Sequence, residues 1–368
     1  MLSRFWRRLS GRRSESTQAT PAATSADAAP RVNGDAQAII ADAPVTVAGP
    51  GEEPLSTHAP DGAPPAPEPA ATPGVATEAT LHRSLNWRCR VLLEGASREA
   101  KASDGPELVE GLRVATEHAI RQPPAAAQRA LAVAADPESS LREITELFEG
   151  DPMLAQSLLR QANSAYYRRD GTPITSLAAS VQRIGTKGVQ GVLTTSLIQQ
   201  TLCRPGSGFD AQVQRVWSHM QRTAPIARAI APVFGLDAET AYSLALLHDV
   251  GKLVVFDHVS RLRHEHRRDV RLPESFLNLV QLHLHEPIGG LAVLNWNLGG
   301  EAAHAVAEHH RRPLPTWHDA ATECLFVAEA VELAHANFTK LEWESIWKNG
   351  GITADVAQVQ DRLARLEG

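Results

Sequence analysis

Cysteine is scarce: Cys89, Cys203 and Cys324 are the three in 368 residues, far apart and in no CxxC or other ligand spacing. An odd, scattered count argues against a disulfide framework and a cysteine metal site, and fits a reducing cytosol. Long apolar runs are missing too. None reaches the length of a membrane span, and the N-terminus has no continuous signal-peptide core. The expectation is a soluble, cytoplasmic protein. No stretch sustains period-two alternation, which argues against a sheet. A large charge excess is also absent, the formal net charge being -6. Residues 1–13 carry five arginines and no acid, while 14–80 carry nine acids against Arg31 alone, so 81–368 is close to neutral. A near-neutral folded part exerts no global pull on nucleic acid.

What is present divides the chain. Residues 1–13, MLSRFWRRLSGRR, interleave Leu2, Phe5, Trp6 and Leu9 with arginines at helical spacing. They form either a basic amphipathic tail touching an anionic membrane surface or a solvated tail. Residues 14–80 hold eleven of the 24 prolines among Ala, Thr and Ser, and are expected to be a disordered acidic linker. Residues 81–122 read as a short helix or strand around Trp87, Val91, Leu92 and Leu93, with weak helical periodicity over 106–120 and no assigned function. From Pro123 onwards helix signals are continuous. Asp151-Pro152 reads as an N-cap with proline at the first helical position. Further patterns run over 210–232, 237–253, 274–295, 299–311 and 318–338. The expected fold is all-α, in two helical halves at 123–209 and 210–340. A C-terminal tail, 341–368, is amphipathic through Val356, Val359, Leu363 and Leu366.

The run SLALLHDVGKL, Ser243–Leu253, carries the chemistry. His248-Asp249 sets a neutral nitrogen beside an anionic oxygen, a pair suited to Zn, Mn, Fe or Mg. Leu244, Leu246, Leu247, Val250 and Leu253 surround it, so a charge on Asp249 needs a partner or a metal. His219 in WSHM, His285 in HLHEPIGGL and His309-His310 at the end of EAAHAVAEHH add imidazoles from other helices. Helices can converge such groups on a metal, which would act as a Lewis acid on a phosphorus ester. Lys252, or arginines of 261–271, would then neutralise the phosphate. The competing reading is packing, with each buried His donating to a backbone carbonyl and Asp249 orienting its neighbour. On the residues alone both readings stand.

The ordered series His219, then His248-Asp249-x-Gly251-Lys252, then His285-x-x-x-Gly289, then His309-His310 resembles the HD superfamily of metal-dependent phosphohydrolases. It is closer still to the HDOD branch, the HD-related output domain of bacterial signalling proteins. The N-terminal half of that branch is similar to DPMLAQSLLRQANSAYY, Asp151–Tyr167, followed by PITSLAASVQRIG, Pro173–Gly185. Trp217–His219, Leu246–Gly251 and His309-His310 complete a resemblance spanning roughly 123–340. It implies a two-part all-α domain and a non-catalytic signal-transduction or regulatory module. Such a module acts through a signalling protein partner, with nucleotide or metal as modulator. The alternative it implies is a metal-dependent phosphohydrolase of nucleotides or cyclic dinucleotides. Its ligands would be His219, His248, Asp249, His285 and His309, with His310 as a further ligand or phosphate donor and Lys252 as phosphate clamp. Two departures stand out. Glu329, in CLFVAEAVELA, occupies the place where HD hydrolases put a last metal-binding Asp. Arg311-Arg312-Pro313 follows the paired His, with no Gly-Tyr-Pro signature.

Two more segments admit alternatives. Asn163-Ser164-Ala165-Tyr166-Tyr167 reads as a helix stop docking one half onto the other, or, with Arg168-Arg169, as a ligand or partner contact. Residues 258–273 carry Arg261, Arg263, Arg267, Arg268 and Arg271. They form a phosphate-facing rim, a dock for an acidic partner, or a solvated loop with Glu265 and Asp269 as local partners. The absence of interleaved aromatics argues against single-stranded nucleic acid.

Overall fold

Short polar residues start the helices where the chain has to turn. Ser140 accepts from the Glu143 amide at 3.2 Å while the Glu143 side chain accepts from the Ser140 amide at 2.8 Å, a reciprocal capping box. Asp151 accepts from the amides of Met153 and Leu154 at 2.8 and 3.2 Å, with Pro152 at the first helical position. Asp237 and Asp319 cap two later helices in the same way.

The computed structural model describes residues 77–99, 120–168, 172–266, 274–311 and 319–366. The basic tail 1–13, most of the linker, Arg169, Arg267, Arg268, Asp269, Arg271, Arg312 and Pro313 lie outside the described residues. Among those described, the regular elements are all helical. They run α1 (Glu78–Glu99), α2 (Ala125–Ala135), α3 (Leu141–Glu149), α4 (Pro152–Ala162), α5 (Ala165–Arg168), α6 (Leu177–Leu202) and α7 (Asp210–Ile230). After a 3₁₀ turn follow α8 (Ala238–Leu247), α9 (Val250–His266) and α10 (Glu274–Leu279). A π turn, Val280–Leu284, leads into α11 (His285–Asn295), α12 (Gly300–Ala307), α13 (Ala320–Ala336), α14 (Trp343–Gly350) and α15 (Val356–Arg365).

The two halves share one core. Helix α6 packs on α2, α3 and α4 and also on α8 and α9, burying Val189, Leu193, Leu197 and Ile198. It kinks at Gly185, whose φ of 71° is a backbone state that a side chain would strain. Tyr166 and Tyr167 take the docking role. The guanidinium of Arg228 on α7 lies 4.4 and 5.2 Å from their ring centroids and 3.7 Å from that of Tyr242 on α8. Arg228 also donates to Glu239 at 2.6 Å and to the Tyr167 hydroxyl at 3.3 Å.

Several boundaries differ from the sequence-based expectation. Residues 81–122 contain a long helix: α1 begins inside the stretch assigned to the linker and buries Leu85, Cys89 and Leu93 completely, against α11. Its apolar face repeats at steps of four and is helical, not strand-like. The pattern over 237–253 is two helices, with His248 and Asp249 at the junction. There the Lys252 amide donates to the Asp249 carbonyl at 3.0 Å, a tighter i to i+3 turn. The pattern over 274–295 is likewise split by the π turn. The tail beyond 341 holds two helices whose Ile346, Val359 and Leu363 join the core, with α15 packed on α7.

Helices α9 and α11 touch backbone to backbone at Gly251 and Gly289. A Cβ on Gly251 would collide with the His285 carbonyl and come within 2.8 Å of the Gly289 amide nitrogen. Gly251→Ala is therefore expected to destabilise the fold by about 1–3 kcal/mol or more, because neither backbone can give way. Urea unfolding checks it. An unchanged midpoint would show that the two helices separate freely.

Candidate metal centre

Three loops and turns deliver imidazoles to one point. His248 closes α8, His285 follows the π turn, and His309-His310 end the turn after α12. The backbone orients each ring. His248 Nδ1 donates to the Ala245 carbonyl at 2.8 Å, His285 Nδ1 to Val280 at 2.8 Å and His309 Nδ1 to Val306 at 2.7 Å. A carbonyl only accepts, so each Nδ1 must carry the proton. Burial depresses all three pKa values, that of His248 to about 4 and that of His309 to about 3, while His285 falls well below its ordinary value. The rings are thus neutral near pH 7, and each leaves a bare Nε2 lone pair.

Those lone pairs converge. His248 Nε2 is 3.2 Å from His219 Nε2, and His285 Nε2 is 3.3 and 3.1 Å from the Nε2 atoms of His309 and His310. Asp249 sits between the groups. Its Oδ2 is 3.8 and 3.6 Å from His219 and His248 Nε2, and its Oδ1 is 3.4 and 4.0 Å from His285 and His309 Nε2. Donor atoms of His219, His248 and Asp249 lie within 4.8 Å of one another, as do those of His285, His309 and His310. Two adjacent ligand triads result, with one carboxylate oxygen facing each.

The residues fit divalent cations on two counts. Apposed neutral nitrogens repel unless a proton or a cation lies between them, and imidazole nitrogen with carboxylate oxygen suits Zn, Mn or Fe. Asp249 Oδ1 is fully buried and has no hydrogen-bond partner. A buried carboxylate oxygen left unpaired is costly, and a cation satisfies it. The outer contacts are those that ligating histidines use to fix their tautomer.

Lys252 lies beside the cluster. Its ammonium pairs with Asp249 Oδ2 at 2.8 Å. Burial opposes the charge on Asp249, but Lys252 and the imidazoles outweigh it and hold the carboxyl well below the usual range. Glu329 spans the two triads, with Oε1 3.9 Å from His219 Nε2 and Oε2 3.5 Å from His310 Nδ1. Glu329, standing where an Asp is usual, thus keeps its carboxylate beside the cluster. Glu332, one turn further along α13, has no part in the sequence reading. It accepts from His219 Nδ1 and, at 2.5 Å, from Arg222 Nε. Burial works against a charged His219, but the bond to Glu332 outweighs it and raises the pKa. The signal available was the spacing of Glu329 and Glu332, three residues apart on one helix face. Among Lys252, Asp249, Glu329, Glu332 and the five histidines of the cluster, only the His219 and Lys252 side chains exceed a tenth exposure, at 13% and 12%.

Helix α13 is held in place by its cap. Asp319 accepts from the amides of Ala321 and Thr322 at 2.9 and 3.2 Å and pairs with His304 at 3.2 Å. Hydrogen bonding to Asp319 raises the His304 pKa against the opposing effect of burial. Burial opposes the charge on Asp319, yet His304 and the cap amides hold its pKa low. The raised His304 pKa contributes stability in full below about pH 6.5, and this is lost as pH rises through the folded value. The Asp319 share is lost only on acidification below about pH 4. His304→Gln is expected to cost up to about 1 kcal/mol near pH 5.5 and little near pH 8.5. Urea melts at the two pH values measure the difference, and the reverse order would refute the pairing.

The HDOD domain family model matches residues 120–312. No curated protein matches the chain. Among solved structures, a candidate metal-dependent phosphohydrolase of Shewanella amazonensis SB2B aligns at 19% identity and a TM-score of 0.56, covering 72% of this chain and 98% of its own. A second candidate phosphohydrolase of that organism aligns at 19% identity and 0.53, covering 70% and 96%. A candidate signal transduction protein of Marinobacter aquaeolei VT8 aligns at 18% identity and 0.50, covering 74% and 65%. At these identities the likeness is one of fold.

Proposed function

The chain belongs to the HDOD domain family, and on that premise we propose a signal-transduction module whose His-Asp cluster holds divalent metal and whose output is contact with a signalling protein partner. The observation that carries the metal reading is the convergence of backbone-oriented, neutral imidazole nitrogens on the two oxygens of Asp249. His219, His248 and Asp249 form one ligand set, and Asp249, His285, His309 and His310 the other, with Glu329 alongside both. The burial of these ligands favours a regulatory centre over one open to a large substrate.

A second reading is phosphoester hydrolysis, favoured by Lys252, a cation at the more open edge of a dinuclear ligand set. Divalent cations bound there would supply Lewis acidity towards a phosphoester. The chain's own contributions would be positive charge from Lys252 beside the phosphate, and a carboxylate at Glu329 able to take up a proton.

The test is the metal content of the purified full chain, by elemental mass spectrometry after growth with added Mn, Fe and Zn. It is paired with turnover of bis(p-nitrophenyl) phosphate. One or two metal equivalents without turnover support the regulatory reading, and metal with turnover moves the function to hydrolysis. Metal-free protein that also refuses metal in vitro sinks both.

A further inference from the structure

A second concave site lies at the other end of α9. Leu202 at the end of α6, the loop Arg204–Gly208, the C-terminal turns of α9 and Arg121 line an open cleft of about 540 Å³. None of its lining residues belongs to the His-Asp cluster. Arg261 is twelve residues beyond Asp249, about 18 Å along the chain from Asp249 at helical rise.

Its lining is basic: Arg121, Arg204, Arg261 and Arg263 against Asp257 and Glu265. The four guanidiniums are held by the protein. Arg121 and Arg261 both engage the nearly buried Asp257, at 3.0 and 3.1 Å, so one carboxylate serves two cations. Arg263 lies 4.2 Å from the Phe209 ring centroid and against Gly208, where a Cβ would come within 3.1 Å of its Nη1. Arg204 Nε donates to the Gln200 carbonyl at 3.3 Å. The loop between them is fixed by Asp210, which accepts from the Gly206 amide at 2.8 Å. Gly206 and Gly208 have φ of 82° and 77°.

Arginine forks match phosphate oxygens, and guanidiniums already ordered lose little freedom on binding. Small-molecule sites typically enclose about 300–1,000 Å³, so the volume suits a compact ligand. We propose that this cleft binds a small phosphorylated anion, between pyrophosphate and a mononucleotide in size. The site is independent of the metal reading. Because α9 starts directly after Asp249 and carries Arg261 and Arg263 near its other end, occupancy of the cleft bears on the helix that follows the cluster's carboxylate.

The test is calorimetric titration of the chelator-treated full chain with inorganic pyrophosphate, so that the metal cluster contributes no binding. Wild type is expected to give saturable, salt-sensitive binding. Arg204→Gln and Arg263→Gln are each expected to weaken it about tenfold or more, the cost of a lost charged hydrogen bond. Arg215→Gln, an exposed change on α7 outside the lining, is expected to leave it intact. Arg204 is exposed, so its variant is read without risk to the fold. Absence of saturable binding, or binding that survives both cleft variants, overturns the proposal. The latter would place the anion elsewhere, for instance on the arginines of residues 1–13.

Discussion

Asp249→Ala is expected to empty both ligand triads at once, whereas His310→Ala should spare the triad of His219, His248 and Asp249. The difference follows from position. Asp249 Oδ2 faces His219 and His248, and Oδ1 faces His285 and His309, so a single truncation removes the anionic ligand from both sides. His310 approaches only the second group. Elemental analysis should find almost no metal in the Asp249 variant and about half the wild-type content in the His310 variant. Full retention in Asp249→Ala would refute a shared carboxylate. The metal-free variant should also be less stable. Lys252, 12% exposed, loses its partner at 2.8 Å, and stranding a buried charge costs about 3–5 kcal/mol.

Arg228→Ala is expected to be the most destabilising change remote from the cluster. Arg228 is 5% exposed and sits where three tyrosine rings and Glu239 from both halves meet. Truncation leaves the Glu239 carboxylate without its cation and opens a void between α5, α7 and α8. A loss of about 3–5 kcal/mol is expected, read as a lowered urea midpoint. Arg228→Lys should recover only part of it, because an ammonium cannot stack flat on the rings while also reaching Glu239 and Tyr167. A loss under about 1 kcal/mol would mean that the halves are docked mainly by apolar contacts along α6 and α8.

The all-α fold and the histidines were legible because both are written locally. Asp151-Pro152 marks a helix start by its own chemistry, and WSH, HD, HLHE and HH each occupy a few consecutive positions. The metal reading itself rests on distances that no spacing in the chain discloses. What was hidden depends on contacts between distant segments. Glu332 reaches His219 across 113 residues, and its role shows only once α13 lies beside α7. The π turn was invisible because Phe276, Val280, Leu284 and Ile288 keep steps of four straight through it. The His285 ring reaches back five residues, to Val280, only because that turn is widened. Helix α1 mixes Arg83, Arg88 and Arg90 with its apolar face, so composition alone left its form open. The sequence leaves the arginine segment open between a phosphate-facing rim, a dock for an acidic partner and a solvated loop. Two of its arginines, Arg261 and Arg263, line a cleft together with Arg121 and the 204–208 loop, which the sequence places far apart.

Family boundaries and folding boundaries do not coincide in this chain. The match ends at residue 312, yet Glu329 and Glu332 are on α13, beyond it. It begins at 120, yet Arg88 on α1 donates to Ala307 and Glu308 immediately before the paired histidines, and Leu85 packs on Gly290. A recombinant fragment trimmed to 120–312 would uncover the apolar face that Leu85, Cys89 and Leu93 fill and would strip the carboxylate wall from His219. Its behaviour in a tube, whether precipitation or weak metal uptake, would report on the cut and not on the protein. The described helices that share this core run from Glu78 to Arg365, and grafts or deletions in this architecture should respect those ends.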